Sequence, residues 1–308
     1  MICAGAPPGG GRAALTPRFM RHFHVINVPT ASEEILTMIF DTIIAEFLTV
    51  NLFPDDVKKC GNIAVAATID LFTQFNKNML PIPSRFHYLF NLRDVSRVMQ
   101  GVLMTEPASV VNAKVFTKLW LHECQRVFHD RLIDEGDRRY FKDLSMELLQ
   151  TKFKEKWNED DLFETNFDEN KLKVTFSMIM KCDHDDKLYE EVKDLKKLIK
   201  LLEDKTIDYN FTYTQAPMDL IFFEDAIDHV CRITRVLNQP RGNAMLIGVS
   251  GGGKQSLTRL AACLLEASCG SIKLQKNYKP VNFREDMKVR LLDSGCNRRP
   301  NVFLLADT

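Results

Sequence analysis

The sequence predicts an α/β fold: an incomplete parallel sheet carrying a phosphate-binding loop, preceded by an all-helical segment. Three observations predict it. The stretch GVSGGGKQSL (248–257) nearly completes the pattern Gly, four residues, Gly-Lys, Ser/Thr. It lies between an apolar run, NAMLIGV, and a helical pattern, KQSLTRLAACLLEA. Upstream, residues 31 to about 135 read as successive helices punctuated by Pro81, Pro83 and Pro107.

Composition bounds the function classes. The 308 residues suffice for about two domains. Hydrophobic residues at 45% and charged residues at 27% suit a folded soluble protein. Basic and acidic residues number 41 each, so zero net charge gives no indication of nucleic acid or an anionic membrane as main partner. The eight cysteines are scattered without a Cys-x-x-Cys pair, which argues against a zinc site or a secreted disulfide frame. No apolar run approaches the roughly 18 residues that cross a bilayer. MICAGAPPGGGR lacks the order of a signal peptide. A soluble intracellular protein is expected. Both ends read as cut, so a piece of a longer chain is expected too.

Taken in order, PPGGGR (7–12) is a loop and HFHVINV (22–28) a strand ended by Pro29. Ser32 is a helix N-cap with Glu33 and Glu34 in the first turn. Ile35, Met38, Ile39, Thr42, Ile43 and Phe47 then form one apolar face. Helices are expected around 60–78, 93–104 and 113–133, followed by a polar connecting region over 134–185. In DKLYEEVKDLKKLIKLLEDK (186–205), Leu188, Val192, Leu195, Ile199 and Leu202 mark an amphipathic helix; a coiled-coil seam is the less favoured reading of so short a run. From about 206 a second unit begins: helix FFEDAIDHVCRITRVLNQP, strand NAMLIGV, glycine loop, helix, strand SIKLQ, helix NFREDMKVRLLDSG and strand NVFLLAD. That alternation predicts parallel βαβ units. Divisions are placed at 1–30, 31–140, 141–205 and 206–308.

The glycine loop carries the chemistry. Gly248, Gly251, Gly252 and Gly253 allow backbone N–H groups to approach phosphate oxygens, and the following helix N-terminus adds its positive end. Lys254 supplies a compact charge for the β- and γ-phosphates. Gln255 is the departure, because a hydroxyl at that place would ligate Mg²⁺. Ser256 lies one residue late, about 100° around the helix. The strand VFLLAD ends in Asp307, placed to hold Mg²⁺ through water, and Thr308 stands where a water-polarising Glu would follow. Gln255 and Asp307 are thus the candidate metal ligands. His122-Glu123 and His129 lack zinc-site spacing and are read as helix packing or surface. The run Cys182-Asp-His184-Asp-Asp186 is read as a solvated turn.

GNAMLIGVSGGGKQSLTRLAA resembles the fourth AAA+ module of a dynein heavy chain, in which Gln-Ser also follows the lysine. NFREDMKVRLLDSG and VFLLADT resemble the segments that follow in that module. APPGGGRAALTPRFMRHFHVINV is similar to the late part of the family's third module, and FHYLFNLRDVSRVMQGVL and KLWLHECQRVFHDRLI to its helical lid. The likeness covers essentially the whole chain, and its wording suits the axonemal type. It implies a P-loop AAA+ parallel sheet, incomplete, preceded by an all-helical AAA+ lid. The divisions become the end of one large subdomain (1–30), the lid (31–140), a connecting region (141–205) and the start of the next large subdomain (206–308). It implies ATP/ADP and Mg²⁺ as ligands at a regulatory site of a minus-end-directed microtubule motor. Partners would be the remaining modules of the chain, microtubules, and dynein intermediate and light chains. The place would be the cytoplasm and cytoskeleton, in the axoneme of a cilium or flagellum. Arg93 would approach the third module's nucleotide, unless it only pairs at its helix start. Arg18 or Arg21 would be an arginine finger toward the preceding module. Ala6 falls near the third module's sensor Asn, which weakens hydrolysis there. The alternative is a non-catalytic, truncated nucleotide-binding or assembly module.

Overall fold

A computed structural model describes residues 2–5, 14–29, 31–167, 170–181, 187–214, 217–272 and 278–306. The first element is one helical turn, α1 (Pro17–Met20), started by Thr16, whose Oγ1 accepts from Phe19 N–H at 3.4 Å. Residues 24–29 are exposed, carry no regular secondary structure and pair with no described strand, contrary to the strand expected at 22–28. A lone segment has no ladder to hold it.

Five long helices follow. α2 (Glu33–Val50) starts at Ser32, whose Oγ accepts from Ile35 N–H, and carries Glu33 and Glu34 in its first turn. Its buried stripe is Leu36, Phe40, Ile44 and Leu48, spaced by four. The expected face is instead turned outward: Ile35, Met38, Ile39 and Ile43 are exposed, and only Phe47 reaches the core. The helix is apolar around most of its circumference, so periodicity fitted two faces. Its partner decides between them. On α3 (Asp55–Asn78), Gly61 leaves room for Leu48 and Ile44, whose methyls would lie 2.7 and 3.0 Å from a Cβ there.

α4 (Leu92–Val102) opens with a capping box between Asn91 and Asp94. Buried Asp94 is also gripped by Arg131, at 2.6 and 3.3 Å. α5 (Ala113–Val127) is capped by Asn112 and is buried nearly all round. A 3-10 turn at His129–Arg131 ends the helical run expected to reach 133. α6 (Glu135–Thr151) runs unbroken across the division placed at 140, and its Phe141, Leu148 and Leu149 belong to the same core. That core centres on Phe75, ringed by Phe90, Phe128 and Phe141 at 5.2 to 6.1 Å between ring centres. Trp120 Nε1 donates to Thr68 Oγ1 at 2.8 Å, so the buried indole keeps its hydrogen bond.

A short α7 (Glu159–Phe163) leads to β1 (Phe176–Ser177) and β2 (Glu190–Glu191), paired antiparallel. The helix expected at 186–205 starts late. α8 (Leu195–Thr212) begins after Asp194, whose carboxylate accepts from Lys197 N–H at 2.9 Å. Leu188 and Val192 are buried before it, outside any helix, so no coiled-coil seam forms. α8 also runs through the boundary placed at 206. α9 (Glu224–Asn238), α10 (Lys254–Leu264), β3 (Ser268–Ser271), α11 (Pro280–Cys296) and β4 (Asn301–Leu304) complete the second unit. β3 and β4 are parallel, in register from Ser268–Asn301 to Ser271–Leu304, with α11 as the crossover. The SIKLQ strand is thus displaced toward 268, and 273–277 lie outside the described residues. A second core joins α8, α9 and α10 through Leu198, Leu202, Val230, Leu260 and Ala261.

Ions join the two cores. Glu123 of α5, fully buried, accepts from Tyr189 Oη at 2.7 Å and from Arg235 of α9 through Nε at 3.3 Å and through a shorter Nη2 contact. Beside it, Asp228 of α9 meets Lys173 and Arg232 at 2.8 Å and Arg126 of α5 at 3.8 Å. Burial opposes the Arg235 charge, but Glu123 more than offsets it and leaves the guanidinium held above its ordinary range. Burial likewise works to raise the Asp228 carboxyl, yet Arg232, Lys173 and Arg126 together hold it below the usual carboxylate range.

Removing one partner strands the other charge in the interior. Arg235→Ala is expected to cost about 3–5 kcal/mol of unfolding free energy in urea titration, and Glu123→Leu with Arg235→Leu markedly less. A depressed folded pKa gives stability that is present above the unfolded value and lost as pH falls through the folded one. Stability should therefore drop below about pH 4, and Asp228→Asn should flatten that part of the profile.

Candidate phosphate-binding site

The site is built by the passage from α9 to α10. After α9, a turn at Gln239–Gly242 closes with Gly242 N–H donating to Gln239 O at 2.9 Å. Residues 243–249 then lead to the loop without regular secondary structure. They form no ladder with any described strand, against the strand expected from NAMLIGV, and Met245 (86%) and Ile247 (88%) are exposed. A strand is made by its neighbours' hydrogen bonds, and the parallel sheet among the described residues consists of β3 and β4 alone.

The loop itself takes the geometry its glycines permit. Gly251 and Gly253 have φ of 79° and 74°, the left-handed region that a side chain disfavours. Gly253 is the N-cap of α10, so no side chain caps the helix and no acidic residue occupies its first turn. The first-turn N–H groups are thus left for an anion. Gly252 N–H closes the turn on Val249 O at 3.3 Å, and a Cβ on Gly252 would lie 3.2 Å from that same carbonyl. Lys254 Nζ reaches back over the turn to Gly248 O and Val249 O, both at 2.7 Å. A phosphate entering here would exchange with those carbonyls for the ammonium. Gly248, Gly251, Gly252, Gly253 and Lys254 are therefore brought together, and the residues present fit a phosphate group.

Gln255 and Ser256 occupy the first turn of α10 and are half-buried. The Gln255 oxygen accepts from Arg259 Nη2 at 3.3 Å. Sequence reading did not single out Arg259, although its spacing of four from Gln255 was the available signal. Asp307 and Thr308 lie outside the described residues, as do Ala6 and the 182–186 run. Arg18 and Arg21 are exposed at the ends of α1, where Arg21 Nε donates to His22 at 3.1 Å. Arg93 is exposed in the first turn of α4. No described hydrogen bond or ion pair ties these three arginines to the loop. His122 packs in the interior beside Glu123, its Nδ1 3.2 Å from Val174 O, and burial pushes its pKa well down.

A cavity of about 580 Å³ lies far along the chain from this loop, between α2, α3 and α6. Glu33, Asp70, Asp143 and Glu147 line it with Lys152, a balance that repels phosphate. Among the described residues no cluster of His, Cys, Asp or Glu could hold a metal ion, and no helix is long and apolar enough to cross a membrane.

A helical bundle leads into an α/β unit with a glycine loop at a helix start, and the two parts match AAA+ family models, lid first and P-loop module second. Residues 64–165 match the family model for the AAA+ lid domain, and 218–308 match that for the P-loop containing dynein motor region D4. The chain is 39% identical over 310 residues to human (Homo sapiens) dynein axonemal heavy chain 6, covering 100% of itself and 7% of that relative. It is 38% identical over 308 residues to the dynein-1-beta heavy chain of the flagellar inner arm I1 complex of Chlamydomonas reinhardtii, with the same coverage. Mouse (Mus musculus) dynein axonemal heavy chain 2 is 37% identical over 308 residues, again at 100% and 7%. The chain is homologous along its whole length to a motor-region segment of axonemal dynein heavy chains. It spans about 7% of the length of these relatives.

The left-handed glycine at the start of α10 gives a direct check. Gly253→Ala should cost about 1–2 kcal/mol of stability through its positive φ alone, read as a fall in thermal midpoint, whereas Gly136→Ala, on an open helix surface, should not.

Proposed function

We propose that the 248–256 loop binds ATP or ADP, and that the chain forms part of the motor ring of an axonemal dynein heavy chain. The observation that carries this is the loop's geometry: two left-handed glycines, an uncapped helix start and Lys254 folded over the turn. Phosphates would lie on the first-turn N–H groups of α10 with the Lys254 ammonium above them. The parent would be an ATP-driven, minus-end-directed microtubule motor of cilia or flagella, working in the axoneme with the remaining AAA+ modules and with intermediate and light chains. This site would regulate that motor. Nucleotide binding rests on backbone and Lys254, whereas hydrolysis also needs a placed metal and a polarised water. Arg93 would face nucleotide in its own module, and Arg18 or Arg21 that of the module before it. Their exposure suits contact with a neighbour, and a guanidinium can clamp a γ-phosphate through two donors.

Lys254→Ala tests the assignment. It should weaken binding of a ribose-labelled fluorescent ATP by about a hundredfold or more, the scale of about 3 kcal/mol for a lost charge-assisted contact. Unchanged affinity would sink it.

A further inference from the structure

A carboxamide has one oxygen and one NH₂, and at Gln255 the oxygen accepts from a cation. Arg259 Nη2 donates to it across one turn of α10, at 3.3 Å. Arg259 is not a loose surface side chain. It is half-buried, and its charge offsets part of the upward push that burial gives the Tyr209 phenol of α8 and the Cys269 thiol of β3. A divalent cation on the same oxygen would sit beside that guanidinium, and like charges oppose each other most strongly at such short range. The residues present therefore do not fit Mg²⁺ at position 255. The NH₂ of Gln255, by contrast, can only donate and is not opposed by that charge when it meets an anion.

We propose that Arg259 is a positioning residue of this site. By holding the Gln255 oxygen it makes the residue after the lysine a hydrogen-bond donor to phosphate instead of a metal ligand, so the site takes a nucleoside phosphate with little dependence on divalent metal. This rests on the nucleotide binding proposed above. It goes beyond that reading by naming how the metal requirement is set and which side chain sets it.

The test titrates the ribose-labelled fluorescent ATP into the 308-residue chain, once in EDTA and once in excess Mg²⁺. Wild-type dissociation constants should agree within about threefold, under 1 kcal/mol of metal coupling. Arg259→Met frees the carbonyl, keeps a helix-forming apolar stem, and should bind about tenfold tighter in Mg²⁺ than in EDTA. Adding Gln255→Leu to Arg259→Met should abolish that gain, which a merely structural role for Arg259 would not predict. Should Arg259→Met lose its helical circular dichroism, Gln255→Ser asks the same question with a hydroxyl in place of the held carboxamide, and a Mg²⁺ gain is again expected. A wild-type chain that binds only with Mg²⁺, or variants whose ratio stays at the wild-type value, would overturn the proposal while leaving nucleotide binding intact. Wild-type chain that binds in neither condition would overturn the nucleotide reading itself, and this proposal with it.

Discussion

The buried Glu123 carboxylate is the constraint on which the arrangement of the two units depends. It comes from the lid helix α5, yet all its strong partners lie later in the chain, at Tyr189 and at Arg235 on the helix that feeds the phosphate loop. A charge removed from water is tolerable only when its partners are placed and its lone pairs are met. The lid core and the P-loop core are each apolar and nondirectional, and either could slide. The carboxylate cannot slide without becoming unpaired, so it fixes where α9 lies against α5. The second set of ions, around Asp228 and Asp130, repeats the constraint about two helical turns away. Together they set the direction in which residues 243–249 leave α9 and arrive at the loop.

Much of this was legible in the sequence where local chemistry decides the outcome. Ser32 and the glycines of 248–253 act on residues a few places away, so composition alone located a helix start and the loop. The P-loop was legible for the same reason, since its function needs backbone rather than distant partners. Legibility failed where the deciding partner is remote. The exposed and buried faces of α2 have similar apolarity, and only Gly61 on α3 distinguishes them. HFHVINV and NAMLIGV read as strands by pattern, but a strand exists through neighbours that pattern does not supply. Leu188 and Val192 fitted a heptad, yet Asp194 caps the helix after them and leaves both to pack from extended chain. Glu123 and Arg235 are 112 residues apart, beyond any periodicity.

The candidate site divides into a part that binds and a part that would react. Gly251, Gly253 and Lys254 form a unit whose geometry is complete in itself: left-handed turns, uncapped amides, and a cation resting on carbonyls that it can leave. Each component favours negative charge without help from a metal. The position that would bring in a metal has been given a different chemistry. A serine or threonine hydroxyl there is short and uncommitted, whereas Gln255 is long enough to reach Arg259 one turn on.

This division bears on what such a site can do for a motor. A nucleotide held by amides and Lys254 stabilises the loop and α10, and α10 packs on α8 and α9 in one apolar core. Occupancy then acts on the same α9 that Glu123 ties to the lid, through rigid helices rather than through bond cleavage. Binding free energy is sufficient for such a shift, because a ligand moves an equilibrium by its differential affinity for the two states. Hydrolysis would reset the site, but occupancy alone can bias it. Under the function proposed above, a phosphate loop with backbone recognition, a glutamine held by Arg259 and a buried ionic joint to the neighbouring lid would suit a site that reports nucleotide more than one that consumes it.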